Sequence, residues 1–122
     1  MVRCLLLKAS VLNRKRDLAL TRSIQYISEN IHQNLKISKI TEIANVSERT
    51  LEHTFLERFG ISPKKYITRF KLNKVNKELG NLNSMELVSE VAKRLGFTHM
   101  GQFSADYKEL FGELPSETLG NN

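Results

Sequence analysis

The sequence predicts an all-α fold, and three observations carry that prediction. Only two prolines occur in 122 residues, Pro63 and Pro115, and no stretch alternates β-branched with polar residues at a period of two. Apolar residues recur instead at intervals of three and four. Helix stops and starts punctuate the chain twice in the same way, as Phe59-Gly60 before Pro63 and Phe111-Gly112 before Pro115.

The elements follow in order. Leu20, Ile24, Ile27 and Ile31 make one apolar stripe, with Asp17 or Thr21 as its capping residue. The segment HQNLK breaks that helix. Ile40, Ile43 and Ala44 mark a short second helix capped by Ser38, and Asn45-Val46 make a tight turn. Ser47 opens the third helix, whose inward side is Leu51, Phe55 and Phe59, and Gly60 closes it in the left-handed conformation. Ser62-Pro63 starts a long helix that runs to Gly80, on the order of 25 Å, burying Ile67, Phe70, Val75 and Leu79. NLNS is expected as a loop. Val88, Val91, Ala92 and Leu95 form a short helix ended by Gly96, and Phe103, Tyr107 and Phe111 form the next stripe. Pro115 opens a last short turn.

An internal repeat organises these elements. ITEIA at 40–44 resembles VSEVA at 88–92, an offset of 48. Leu51, Phe55, Glu57, Phe59, Gly60 and Pro63 then match Phe103, Tyr107, Glu109, Phe111, Gly112 and Pro115 at an offset of 52, which places four extra residues around GFTH. The pattern predicts a duplicated helix-turn-helix unit. In each, a small residue, Ala44 or Ala92, lets the longer helix pack closely across the short one. The outer face of the longer helix is then left free, and a major groove admits such a helix. The expected division is a basic segment or linker stub at 1–16, a first subdomain at 17–62, a linker helix at 63–79, a second subdomain at 80–119 and a tail at 120–122.

Composition narrows the function. The net charge is +6, and it is unevenly placed. Residues 1–22 carry six basic and one acidic side chain, residues 61–77 six basic and none acidic, and residues 78–122 three basic and seven acidic. Basic blocks suit a polyanion. A single cysteine, Cys4, excludes a disulfide framework and a four-cysteine zinc site, and three scattered histidines lack metal-ligand spacing. We expect no metal, no cofactor and no catalytic residue, because no nucleophile, base and orienting acid occur together. No apolar run reaches the roughly 20 residues of a membrane span, and the N-terminus lacks a signal-peptide pattern, so a cytoplasmic location is expected.

ITEIANVSERTLEHTFLERFGISPKKYI and VSEVAKRLGFTHMGQFSADYKELFGELPSETL together resemble the DNA-binding domain of the AraC/XylS family of bacterial transcription regulators. The likeness runs from about residue 20 to 119. It implies seven helices, two helix-turn-helix motifs in successive major grooves, and a long helix holding them one DNA turn apart. It also implies double-stranded DNA and RNA polymerase as partners, and activator function. Many members also carry an N-terminal effector-binding domain, which is expected to be absent from this chain. Lys71 and Val75 stand where the family usually has arginine and alanine, and Ala105 where many members carry a polar reader. The competing reading is a helical interaction module that docks a partner such as RNA polymerase without reading DNA.

Rotation by 100° per residue places Arg49, Thr50 and His53 outward at the leading end of the first recognition helix, with Glu52 at the edge. Arginine pairs with guanine O6 and N7, and glutamate accepts from cytosine N4. On the second, Gln102 suits adenine, between the small residues Gly101 and Ala105, and Met100 either packs or touches a thymine methyl. Candidate phosphate contacts are Ser47, Ser62, Lys64, Lys65, Thr98, His99 and Ser104. Glu48 and Glu57 are expected to serve the fold or the helix dipole, or to limit nonspecific binding.

Overall fold

A computed structural model describes the backbone of residues 2–81 and 87–120, and side chains from residue 14 onward within those spans, except Asn81. Seven helices are present and no strand occurs among the described residues. They are α1 Val2–Glu29, α2 Ile37–Ala44, α3 Glu48–Phe59, α4 Pro63–Asn81, α5 Val88–Arg94, α6 Met100–Phe111 and α7 Pro115–Gly120. Two compact units result. The first holds α1, α2, α3 and the first turn of α4, and the second holds residues 31–34, the rest of α4 and α5 to α7. No helix among the described residues is long and apolar enough to cross a membrane.

The first unit is built on Leu20, Ile27, Ile40, Ala44, Leu51 and Phe55, all buried. Each fully buried aliphatic or aromatic side chain contributes about 1.5–3 kcal/mol relative to exposure. Two polar residues join this core at little cost because each satisfies its hydroxyl within its own helix. Ser23 Oγ donates to the Ala19 carbonyl at 2.7 Å, and Thr54 Oγ1 to the Thr50 carbonyl at 2.7 Å. α1 begins at Val2, so neither Asp17 nor Thr21 caps it. Both lie inside the helix, where Thr21 Oγ1 donates back to the Asp17 carbonyl at 2.9 Å. Ile31, expected as the last rung of the α1 stripe, falls beyond the helix and belongs to the second unit. Ser38 is not a cap either: Lys36 occupies that position, without a side-chain bond, and Ser38 lies within α2.

The second unit buries Ile31, Ile67, Leu72, Val75, Leu79, Val91, Ala92, Leu95, Phe103 and Tyr107. A polar chain threads this core. Asn76 Nδ2 donates to the Tyr107 hydroxyl at 2.9 Å, that hydroxyl donates to Thr118 Oγ1 at 2.8 Å, and Thr118 donates to Glu113 Oε1 at 2.7 Å. It ties α4, α6 and α7 together. Lys71 is also buried, 8 % exposed, and its ammonium donates to the Gln33 carbonyl at 3.4 Å. Burial lowers its pKa below the ordinary lysine value. Gly96, at φ +92°, lies so close that a Cβ there would sit 3.1 Å from Lys71 Nζ. The left-handed backbone explains why glycine stands at this turn.

The hydrogen-bond register revises the alignment of the two short helices. The amide of Val46 bonds to the Thr41 carbonyl at 3.2 Å, and the amide of Phe97 to the Ala92 carbonyl at 3.0 Å. The helix starts agree with this: Lys39 bonds back to Lys36, and Glu90 back to Leu87. Left-handed residues follow at Asn45 and Gly96. The offset is therefore 51, with Thr41 opposite Ala92 and Ala44 opposite Leu95. The match of ITEIA to VSEVA at 48 was out of register by nearly one helical turn. One extra residue remains, between Gly96 and the next helix, where the expectation was four. Of NLNS, Asn81 belongs to α4, and residues 82–84 lie outside the described residues, as do 121–122 of the tail.

Candidate nucleic-acid interface

α3 forms because its start is capped and its inner side is apolar. Ser47 Oγ accepts from the Thr50 amide at 3.1 Å, and Glu48 places a carboxylate in the first turn, where the helix dipole favours it. Gly60, at φ +72°, ends the helix with its amide on the Leu56 carbonyl. Leu51, Thr54 and Phe55 are buried. Phe59, expected inward, is 39 % exposed and packs on Phe55, with ring centroids 5.6 Å apart. It lies a full turn beyond Phe55, at the last residue of the helix, where less of the core remains to cover it.

The outer stripe of α3 carries Arg49, Glu52 and His53, all exposed, with Thr50 half-buried at its margin. Thr50 is engaged locally, since Ser47 Oγ donates to its Oγ1 at 2.9 Å. Leu56 also lies on this stripe, 50 % exposed. Sequence reasoning passed over it, although its spacing of seven from Arg49 was visible.

Two ion pairs tie the far half of α3 to α1. Arg16 meets Glu57 at 3.2 Å and Arg58 meets Asp17 at 2.7 Å, all four side chains being substantially exposed. Pairs of this kind are each worth about 0–1 kcal/mol, so they fix an orientation more than they add stability. They border a cleft of about 260 Å³ that Leu20 and Thr54 also line. Glu57 thus serves the fold.

α6 repeats the design with poorer chemistry. Its N-cap is His99, without a side-chain bond, and Gly112 closes it at φ +78°. Phe103 and Tyr107 are buried, and Phe97 packs on Phe103 at 4.8 Å. Gly101, Gln102 and Ala105 are exposed, whereas Met100 and Ser104 are half-buried. Gln102 Nε2 already donates to Asp106 Oδ1 at 2.9 Å, which orients the amide. Lys108, exposed and seven residues after Gly101, adds a cation to the same outer face and was also missed.

The phosphate candidates divide by what their side chains already do. Ser47 Oγ is occupied by the α3 cap, and Ser62 Oγ accepts from the Lys65 amide at 3.2 Å at the start of α4. Lys64, Lys65, Thr98 and His99 are exposed at helix starts. The arrangement presents cations and amide groups at leading helix ends, which is what an anionic backbone requires.

A family model described as a helix-turn-helix domain matches residues 40–121. The XylDLEGF operon transcriptional activator of Pseudomonas putida is 36 % identical over 99 residues, covering 80 % of this chain and 31 % of that protein. The chain therefore spans about a third of that relative's length. A probable AraC family transcriptional regulator from Rhodopseudomonas palustris superposes with a TM-score of 0.78 at 31 % identity, over 84 % of this chain and 95 % of that one. The DNA-binding domain of AdpA, solved in complex with a target DNA, shares the fold at a TM-score of 0.75 and 20 % identity, over 84 % of this chain and 90 % of that one. With its all-helical build, its duplicated unit and these likenesses together, the chain belongs to the AraC family of helix-turn-helix proteins.

Proposed function

We propose that this chain is a sequence-specific double-stranded DNA-binding module of a transcription regulator, with α3 and α6 each entering a major groove. The observation that carries it is the outer stripe of α3. Leu51, Thr54 and Phe55 on its inner side are buried, while Arg49, Glu52 and His53 stand exposed with donors and acceptors suited to base edges. Exposed Lys64, Lys65, Thr98 and His99 supply the charge and hydrogen bonds that phosphates take. The Pseudomonas putida relative is named an operon activator, and we extend activation to this chain. Activation requires RNA polymerase as a second partner, for which the acidic stretch 78–122 outside the outer face of α6 is the candidate surface. The chain acts as a binding protein rather than an enzyme, in the cytoplasm where its partners are.

The test is selection from a randomised duplex pool, followed by a salt titration on the enriched site. Enrichment of one sequence is expected, with log affinity falling by about 0.9 per phosphate contact for each unit of log salt. A chain that enriches no duplex and binds weakly without salt dependence overturns the reading and favours a docking module.

A further inference from the structure

We propose that Leu56 is a specificity-determining residue of α3 and reads the C5-methyl of a thymine. The inference rests on the DNA-binding reading above and adds a contact of a different chemical kind. At 100° per residue, Leu56 lies within about 20° of Arg49 in azimuth, two helical turns further on. Glu52 and His53 flank that line on either side. Leu56 thus lies within the outward stripe, about 140° from buried Leu51 and about 100° from buried Phe55 around the helix axis.

One half-exposed leucine is ordinary on a protein surface. Its position is what gives Leu56 a role. Every other residue assigned to the stripe is polar or charged, while Leu51, Thr54 and Phe55 of α3 are buried. A leucine offers a base edge no hydrogen bond. The feature of the major groove that it matches is the thymine methyl, the only apolar group displayed there. Two turns of helix are about 10 Å, so Leu56 faces a different base pair from Arg49. Half of its surface is still available for burial, and covering one methyl-sized group is worth about four-fold in affinity.

The experiment starts from the site that the wild-type chain enriches. Leu56→Ala is selected in parallel, its folding checked by helical circular dichroism and thermal unfolding. Each thymine of the wild-type site is then replaced singly by deoxyuridine, which lacks only the methyl. At one thymine, wild type is expected to lose about four-fold in affinity on replacement, while Leu56→Ala shows no loss there and no longer prefers thymine. The proposal is overturned if every thymine-to-deoxyuridine step acts equally on the two proteins, or if the Leu56→Ala selection profile equals that of wild type. Failure of wild type to enrich any sequence strikes the DNA-binding reading itself, not this assignment alone.

Discussion

At the scale of single residues, exposure and local bonding sort the candidate readers by task. Arg49 is exposed on the outer stripe near the start of α3. A guanidinium there has five donors and a bidentate match to guanine. Arg49→Ala is expected to cost about 1–3 kcal/mol on the selected site and to relax preference at one base pair. Lys65, exposed in the first turn of α4, has charge without base-edge geometry. Lys65→Ala should weaken all duplexes alike and reduce the salt slope by about one unit. Affinities of both variants on selected and scrambled duplexes, at several salt concentrations, separate the two roles. A uniform loss for Arg49→Ala would place it on phosphate instead.

At the scale of elements, helix ends and polar links set how each recognition helix is held. α3 has a hydroxyl cap from Ser47 and two ion pairs to α1. α6 lacks a side-chain cap and is held instead through the Tyr107 hydroxyl, between Asn76 of α4 and Thr118 of α7. Tyr107→Phe keeps the buried ring but removes the acceptor of the Asn76 amide and the donor to Thr118 Oγ1, which still donates to Glu113. It should cost about 1–3 kcal/mol of stability, the desolvation penalty of groups left unpaired. Urea unfolding of the two proteins measures it. No change in midpoint would mean that water replaces the lost bonds.

At the scale of the whole molecule, two unequal units on one chain make a distinctive binding partner. The α3 stripe offers Arg49, Glu52 and His53, whereas Gly101 and Ala105 on α6 have no side-chain donors or acceptors, and Gln102 is the one bidentate group there. Each good bidentate pair is worth about 1–3 kcal/mol of discrimination. The selected site should therefore be nonpalindromic, occupied by one chain, and richer in information in the half bound by α3. Position-by-position scoring of the selection, with protected bases mapped for variants of each helix, tests it. A symmetric site, or information concentrated under α6, contradicts the prediction.

What the sequence determined by itself was whatever depends on neighbours along the chain. The Ser47 cap, the Ser62-Pro63 start of α4 and the left-handed Gly60 and Gly112 follow from groups within four residues of one another, and the structure has each of them. The duplication and the offset of 52 from Leu51 onward were legible for the same reason, as was the family. The short helices were legible too, but not their mutual register, because ITEIA and VSEVA look alike in composition and it is the backbone hydrogen bonds at their two ends that distinguish 48 from 51. Tertiary structure alone decided that Asp17 pairs with Arg58 instead of capping a helix and that Lys71 is buried against the Gln33 carbonyl. It also decided that the far end of α3 leaves Leu56 and Phe59 open. Each of these depends on a partner distant in sequence or on where the core ends. Periodicity cannot specify either, because it reports which side of a helix is apolar and not what covers it.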